Sequence, residues 1–465
     1  MVLLSSEILV GFSNGLRTYI WTVANLRKIP YNKIMNKNLT PKFGIQNEVN
    51  IPGDKSITHR AIILGAIADG ITKITGALVS DDCLATINCF RQMGVEITQN
   101  GDCLRISGVG LRGLKKPAKP LYVGNSGTTM RLLAGLLAAQ SFDAVLDGDE
   151  SIRRRPMGRV AQPLAAMGAA VSTKEGLAPI AVSPCPHLTG MDYKMPMPSA
   201  QVKSAILLAG LYANGATRVI EQHAGLTRNH TELMMAQFGA NVTTDKNIIT
   251  IHPARRLAAQ NLIIPADISS AAFFLPLVML LGKKLTIKNV GINPTRTGIL
   301  DAFAAMGGCF EITNRRISCG EPVGNITISH SKLKGIDVDA ALAARMIDEI
   351  PIFAAAACFA EGTTTIRGAG ELRFKETDRL AALTAELGKL GADITPTDDG
   401  FVIQGSKLGQ PKQTPVLRGY GDHRIVMALA IAATLAGIPF EIDDASCVKT
   451  SFPDFFETLD CISPL

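Results

Sequence analysis

Gly127-Thr128-Thr129-Met130-Arg131 opens a segment that continues from Leu132 to Ala139 with no charged side chain. A strand-like Ala144-Val145-Leu146 follows, then a polar loop, then a second helix-like stretch that ends on Met167-Gly168-Ala169. The same plan recurs along the chain. Its other polar signatures are Lys55-Ser56-Ile57-Thr58-His59-Arg60, Ser199-Ala200-Gln201-Val202-Lys203-Ser204, Asp267-Ile268-Ser269-Ser270, Ile347-Asp348-Glu349 and Gly421-Asp422-His423-Arg424. Each stands where an apolar helix should begin. The second helices end on Met93-Gly94-Val95, Phe238-Gly239-Ala240, Met306-Gly307-Gly308 and Leu390-Gly391-Ala392, and a sixth copy is cut short around Ser451 to Ile462. Glycine ends a helix because it takes the left-handed conformation without steric cost. The spacing of these glycines gives an α/β module of about 70 residues, used six times.

Repetition alone accounts for the apolar runs and the glycine caps. It does not account for charge at one end of every copy. A helix N-terminus has free N–H groups and the positive end of the helix dipole, so it attracts anions. The loops before the second helices add arginines: Ser151-Ile152-Arg153-Arg154-Arg155-Pro156-Met157, Leu226-Thr227-Arg228-Asn229-His230-Thr231-Glu232, Asn293-Pro294-Thr295-Arg296-Thr297-Gly298 and Glu371-Leu372-Arg373-Phe374-Lys375-Glu376-Thr377-Asp378-Arg379. An arginine fork binds phosphate or carboxylate through two parallel hydrogen bonds. Together these features point to one site for a small, highly anionic substrate.

The bulk composition narrows the class. The chain has 465 residues, which makes two domains the expectation. Aromatic residues are 5% and the net charge is only +7 with no basic block, which argues against nucleic acid as a partner. The 9 cysteines form no CxxC pair and the 7 histidines no HExxH, so neither zinc nor a disulfide framework is supported and a reducing cytoplasm fits. The apolar run Ala271 to Leu281 is too short to cross a bilayer, which takes about 20 residues. Residues 1–44 are basic and weakly resemble a transit peptide; they read better as an extension outside the core, since Met35 could start a complete protein. Gly108-Val109-Gly110-Leu111-Arg112-Gly113 matches a dinucleotide fingerprint, but Pro117 and Pro120 follow where its helix should run. No phosphate-loop NTPase motif is present.

Several of these stretches are similar, in register, to the signatures of the 5-enolpyruvylshikimate-3-phosphate synthase family. They are Pro52 to Arg60, Gly124-Asn125-Ser126-Gly127-Thr128, Arg155-Pro156-Met157, Lys375 to Arg379 and Asp422-His423-Arg424, and the match runs from about Val49 to Phe456. Ser199 to Ser204, Met346 to Glu349 and Asn293 to Gly298 resemble the bacterial branch called class II. The resemblance implies a two-domain inside-out α/β barrel of six βαβαββ repeats. Residues 45–55 and 266–465 would form one domain and 56–265 the other. It implies transfer of the carboxyvinyl group of phosphoenolpyruvate to the 5-hydroxyl of shikimate 3-phosphate, without metal or organic cofactor, by a cytoplasmic monomer with no membrane or nucleic-acid partner.

Carried over residue by residue, Lys55, Ser56, Arg60, Ser199, Ala200, Gln201, Arg228, Asp348 and Lys375 would face shikimate 3-phosphate. Lys55, Gly127, Arg155, Gln201, Arg379 and Arg424 would face phosphoenolpyruvate. Asp348 would be the base and Glu376 the acid, with Lys55 assisting either step; on sequence alone Asp348 and Glu349 also read as acids at a helix start. Three positions depart from the best-known bacterial pattern or bear on inhibitors. Thr450 stands where a lysine is usual, with Lys449 one place earlier; Ala200 replaces a serine; and Gly127 carries no methyl to narrow the pocket against glyphosate. The related transferase acting on UDP-N-acetylglucosamine commonly carries a reactive loop cysteine, which the corresponding loops here do not have.

Overall fold

The protein is described by a computed structural model covering residues 48–462, apart from positions 186, 223–225, 283, 406–407, 410 and 412. The 1–44 extension lies outside the described residues. Every polar signature does sit at a helix start. Helices span Lys55–Ala66, Gly127–Leu137, Ala200–Gly210, Ile350–Ala357 and His423–Ala436. The Asp267 signature opens a short helix, Ile268–Ala271, that breaks before a second one, Phe274–Leu281, whose interior holds Pro276. The local chemistry explains the starts. Asp54, Ser126, Ser199, Asp267 and Asp422 each accept a backbone N–H of the first turn with the side chain. The second helices end as expected, with Gly94, Gly168, Gly239, Gly307 and Gly391 all at φ between 85° and 92°.

The element order is strand, helix, strand, helix, then a two-stranded hairpin, repeated along the chain. Five sheets have four strands in one topology. In the sheet that follows the Gly127 helix, Leu121–Tyr122 runs parallel to Ala144–Asp147, which is antiparallel to Leu177–Ser183, itself antiparallel to Ala170–Lys174. Among the described residues, the sixth sheet holds two strands, Val416–Leu417 and Glu441–Ile442. The dinucleotide-like glycines fall at the end of strand Cys103–Val109 and in the coil after it, with no helix following directly.

Two separate apolar cores result. One runs from Ile57 to Ile264 and the other from Ala266 to Leu459. In each, the signature helices are packed inward. Gly135 shows how tightly: a β-carbon there would lie 2.2 Å from the carbonyl oxygen of Ala205 on the Ala200–Gly210 helix. The chain passes between the cores twice, and the two passages lie side by side. Asp54 N donates to Pro265 O at 2.8 Å, and Asp267 N donates to Pro52 O at 2.9 Å. Strand Glu48–Val49, before the first passage, pairs with Leu285–Gly291 of the second core, and Asn261–Ile263, before the return, pairs with Asp69–Thr75 of the first. Each lobe therefore closes one of its sheets with a strand beside a crossover.

Candidate active site

The helix starts of both lobes face one cleft with a cavity volume of about 350 Å³, a size suited to a small ligand. Lys55, Ser56, Arg60, Gly127, Arg155, Ser199, Ala200, Gln201, Arg228, Asp348, Lys375, Glu376, Arg379 and Arg424 all line it. Lys449 is exposed and is not among the lining residues.

Asp348 lies at the centre of the charge. Arg228 of the first lobe reaches across to its carboxylate, Lys375 Nζ is 3.3 Å away, Arg379 Nη1 3.7 Å and Arg424 Nη2 3.9 Å. Burial alone would raise this carboxyl's pKa, but Lys375, Arg228, Arg424 and Arg379 outweigh it and hold it well below the ordinary carboxylate value. Among the protein's own charges the group is an ionised carboxylate. Arg424 also donates to the Asp348 main-chain carbonyl at 3.0 Å, which fixes the residue just before its helix.

Glu376 is the second acid. It accepts from Arg379 Nη2 at 2.7 Å and lies 3.5 Å from Arg155 Nη1 of the other lobe. Burial again pushes its pKa up, and Arg379, Arg155 and Lys55 pull it further down, to well below the ordinary glutamate value. Among the protein's own charges, then, Glu376 is ionised. An anion bound among the same cations would offset their pull on Glu376. His423, beside it, is kept neutral by burial and by Lys55 and Arg424.

The cations are held by a buried frame. Arg379 is clasped by Asp422 through Nε at 2.7 Å and Nη2 at 3.1 Å, leaving Nη1 buried with no hydrogen-bond partner. Lys55 Nζ donates to Asp82 at 3.1 Å. Gln201 accepts from Arg131 at 2.5 Å and donates to Thr128 at 3.1 Å. Gly127 leaves room for two guanidinium tips: a β-carbon there would stand 3.1 Å from Arg131 Nη1 and 3.2 Å from Arg155 Nη1.

Two signature cations turn away from the cleft's open space. Arg60 lines it, yet Nε donates to Thr231, Nη1 to the Ser56 carbonyl and Nη2 to Ser204, at 2.6, 2.9 and 2.8 Å. Lys203 is buried against Glu221 at 3.1 Å and Glu232 at 2.8 Å. Asp267 caps its helix through Ser269 N and is also part of the lining, as are Arg131, Arg159, Arg296 and Glu371. Of these, Arg131, Arg296 and Glu371 belong to the signature segments; Arg159, which pairs with Glu371 across the cleft at 2.6 Å, carries no sequence signal apart from position.

A two-lobed α/β protein whose shared cleft holds two ionised carboxylates in a ring of arginine and lysine is suited to a small polyanion. Comparison with known proteins makes this specific. The family model for EPSP synthase (3-phosphoshikimate 1-carboxyvinyltransferase) matches residues 39–459. A Geobacter sulfurreducens protein named 3-phosphoshikimate 1-carboxyvinyltransferase is 47% identical over 426 residues, covering 91% of this chain and 98% of its own. One of the same name from Brevibacillus brevis is 48% identical over 422 residues, covering 90% and 98%. The structure of EPSP synthase from Acinetobacter baumannii superposes with a TM-score of 0.78 at 44% identity, over 90% of this chain and 95% of that one. The chain belongs to the EPSP synthase family. Among the described residues, no group of three or more His, Cys, Asp or Glu is arranged to hold a metal ion, and no helix is long and apolar enough to cross a membrane.

Proposed function

We propose that the protein transfers the carboxyvinyl group of phosphoenolpyruvate to the 5-hydroxyl of shikimate 3-phosphate and releases phosphate by addition and elimination. The observation that carries this is the convergence on one cleft of every residue that family resemblance assigns to the reaction. Arg228, Lys375, Ser199, Ala200, Gln201 and Ser56 hold shikimate 3-phosphate, with Arg60 setting the Ser56 end of the helix. Arg155, Arg379, Arg424 and the open space at Gly127 hold phosphoenolpyruvate, and Lys55 and Gln201 stand between the two. Asp348 removes the hydroxyl proton. Glu376, once the anionic substrates neutralise its cations, protonates the methylene carbon, and Lys55 assists. The fixed guanidinium groups act as preorganised charge, which is where most of such a rate enhancement comes from.

The two cores are read as domains of 45–55 with 266–465 and of 56–265, each an arrangement of three βαβαββ repeats in an inside-out α/β barrel. The working protein is a cytoplasmic monomer whose partners are its two substrates, with no cofactor. Phosphate release from phosphoenolpyruvate that depends on shikimate 3-phosphate tests the reaction. Release that depends instead on UDP-N-acetylglucosamine, or none with either acceptor, would reject it.

A further inference from the structure

Once the cleft is assigned, the Asn293 to Gly298 motif and the buried Glu321 have no task. Both belong to the second lobe, and both touch the first lobe at the residues next to Arg228. The Arg228 backbone is pinned on one side by its own lobe. Thr227 N donates to Glu221 Oε1 at 3.1 Å, and Lys203 bridges Glu221 Oε2 and the Thr227 carbonyl at 3.1 and 3.2 Å. On the other side the partners come from across the interlobe boundary. Asn293 Nδ2 donates to Asn229 Oδ1 at 2.7 Å and to Glu321 Oε2 at 2.7 Å. Glu321 Oε1 lies 2.6 Å from His230 Nδ1. Glu321, Asn293 and His230 are each at most 2% exposed.

A buried carboxylate is costly unless every lone pair finds a partner, and apolar packing of the same volume would serve stability as well or better. Here the cost is accepted in a network that ends on the residues immediately following Arg228. That arginine has to meet a carboxylate of the opposite lobe, so its backbone must be fixed relative to that lobe as well as its own. The same loop also supports the other partner. Arg296 Nη2 donates to Ser269 Oγ at 2.5 Å and lies 3.4 Å from Glu349, the neighbour of Asp348.

We propose that Asn293 and Glu321 are positioning residues that aim Arg228 across the cleft from the opposite lobe. This rests on the reading above in which Arg228 holds shikimate 3-phosphate. It predicts that breaking the network weakens that substrate specifically and acts only through Arg228.

The test is steady-state kinetics on the full chain for Asn293→Ala, Glu321→Gln, Arg228→Ala and the doubles that combine each network variant with Arg228→Ala. Glu321→Gln keeps volume but offers one oxygen where the carboxylate offers two, so it weakens the network at Asn293 or at His230 even if Asn293→Ala fails to fold. Each network variant should raise KM for shikimate 3-phosphate about tenfold, the effect of a lost buried hydrogen bond near the ligand arginine. KM for phosphoenolpyruvate should stay within about twofold. Each double should be no worse than Arg228→Ala alone, because an effect transmitted through one side chain vanishes when that side chain is gone. An unchanged KM for shikimate 3-phosphate in the network variants, or additive losses in the doubles, would overturn the proposal while leaving the site reading intact. If Arg228→Ala itself leaves that KM unchanged, the site reading fails and takes the proposal with it.

Discussion

Replacing Gly127 with alanine adds one methyl group at the place where two arginine tips converge. The β-carbon would sit 3.1 Å from Arg131 Nη1 and 3.2 Å from Arg155 Nη1, inside ordinary van der Waals contact. Gly127 is the first residue of its helix and its backbone is not left-handed, so alanine is tolerated there and the fold persists. The guanidinium tips must yield instead, by a few tenths of an ångström each. They are not free to do so without loss. Arg131 is tied to Gln201 and to the Pro156 carbonyl, and Arg155 to Asn125, Ser151 and Glu376. A hydrogen bond to a charged group is worth about 1.5–3 kcal/mol, so weakening one or two of them costs about 1–2 kcal/mol. That corresponds to a rise of about 5- to 30-fold in KM for phosphoenolpyruvate, with kcat less affected. The inhibition constant of glyphosate, competing for the same space, should rise at least as much. Initial rates with both ligands varied, beside a thermal melt, measure all of this. A KM within twofold of the parent and an unchanged inhibition constant, in a protein that melts normally, would refute the steric account of Gly127.

Asp348→Ala and Glu376→Gln should each lower turnover about 100-fold or more with the fold intact; near-parental turnover in either purified variant removes that residue from its role. Both carboxyls have depressed pKa values in the folded protein, so the stability they contribute is present above the ordinary carboxylate range and is lost as pH falls through their folded values. Asp267 behaves oppositely. Burial and the nearby charge of Asp54 push it up to about 7, so its contribution is full below the ordinary aspartate value and is lost as pH rises through 7. Asp267→Asn, which keeps the capping oxygen, should gain stability relative to the parent on going from pH 5 to pH 8 in urea melts; a pH-independent difference would contradict the shift. Gly135→Ala forces a methyl into the Ala205 backbone and should cost about 3 kcal/mol in the same assay, whereas a cost below about 1 kcal/mol would mean that the helices part easily.

The parts of this fold that were legible from sequence are the ones decided locally. An Asp or Ser one residue before an apolar run caps that run whatever lies around it, and a glycine after Met93, Met167 or Met306 takes positive φ for steric reasons that the neighbours do not alter. The convergence of the signatures was legible because every copy carries its charge at the same end. What the sequence does not carry is which way a long cation points. Lys203 and Arg60 sit in signatures like those of Lys55 and Arg424, but Glu221 and Glu232 draw the first inward and Thr231 and Ser204 engage the second. Those partners lie on other elements of the fold. Nor does sequence decide the protonation of Glu376, since it depends on how many cations reach it from both lobes; Arg379 and Arg155 arrive from different ones.

The paired crossovers have a further meaning for how the molecule is assembled. Because Asp54 bonds to Pro265 and Asp267 to Pro52, the first lobe leaves and re-enters the second at a single point. Topologically it is a guest inserted between residues 53 and 266 of a host. A chain segment with touching ends is one that insertion and permutation tolerate. A short peptide joining Pro52 to Asp267 would leave a continuous host that retains Asp348, Glu376 and Arg424 but has lost Arg155 and Arg228, together with the crossover residue Lys55. Neither piece alone carries the whole cleft lining, so the point of attachment is also what makes the site a property of the joined chain.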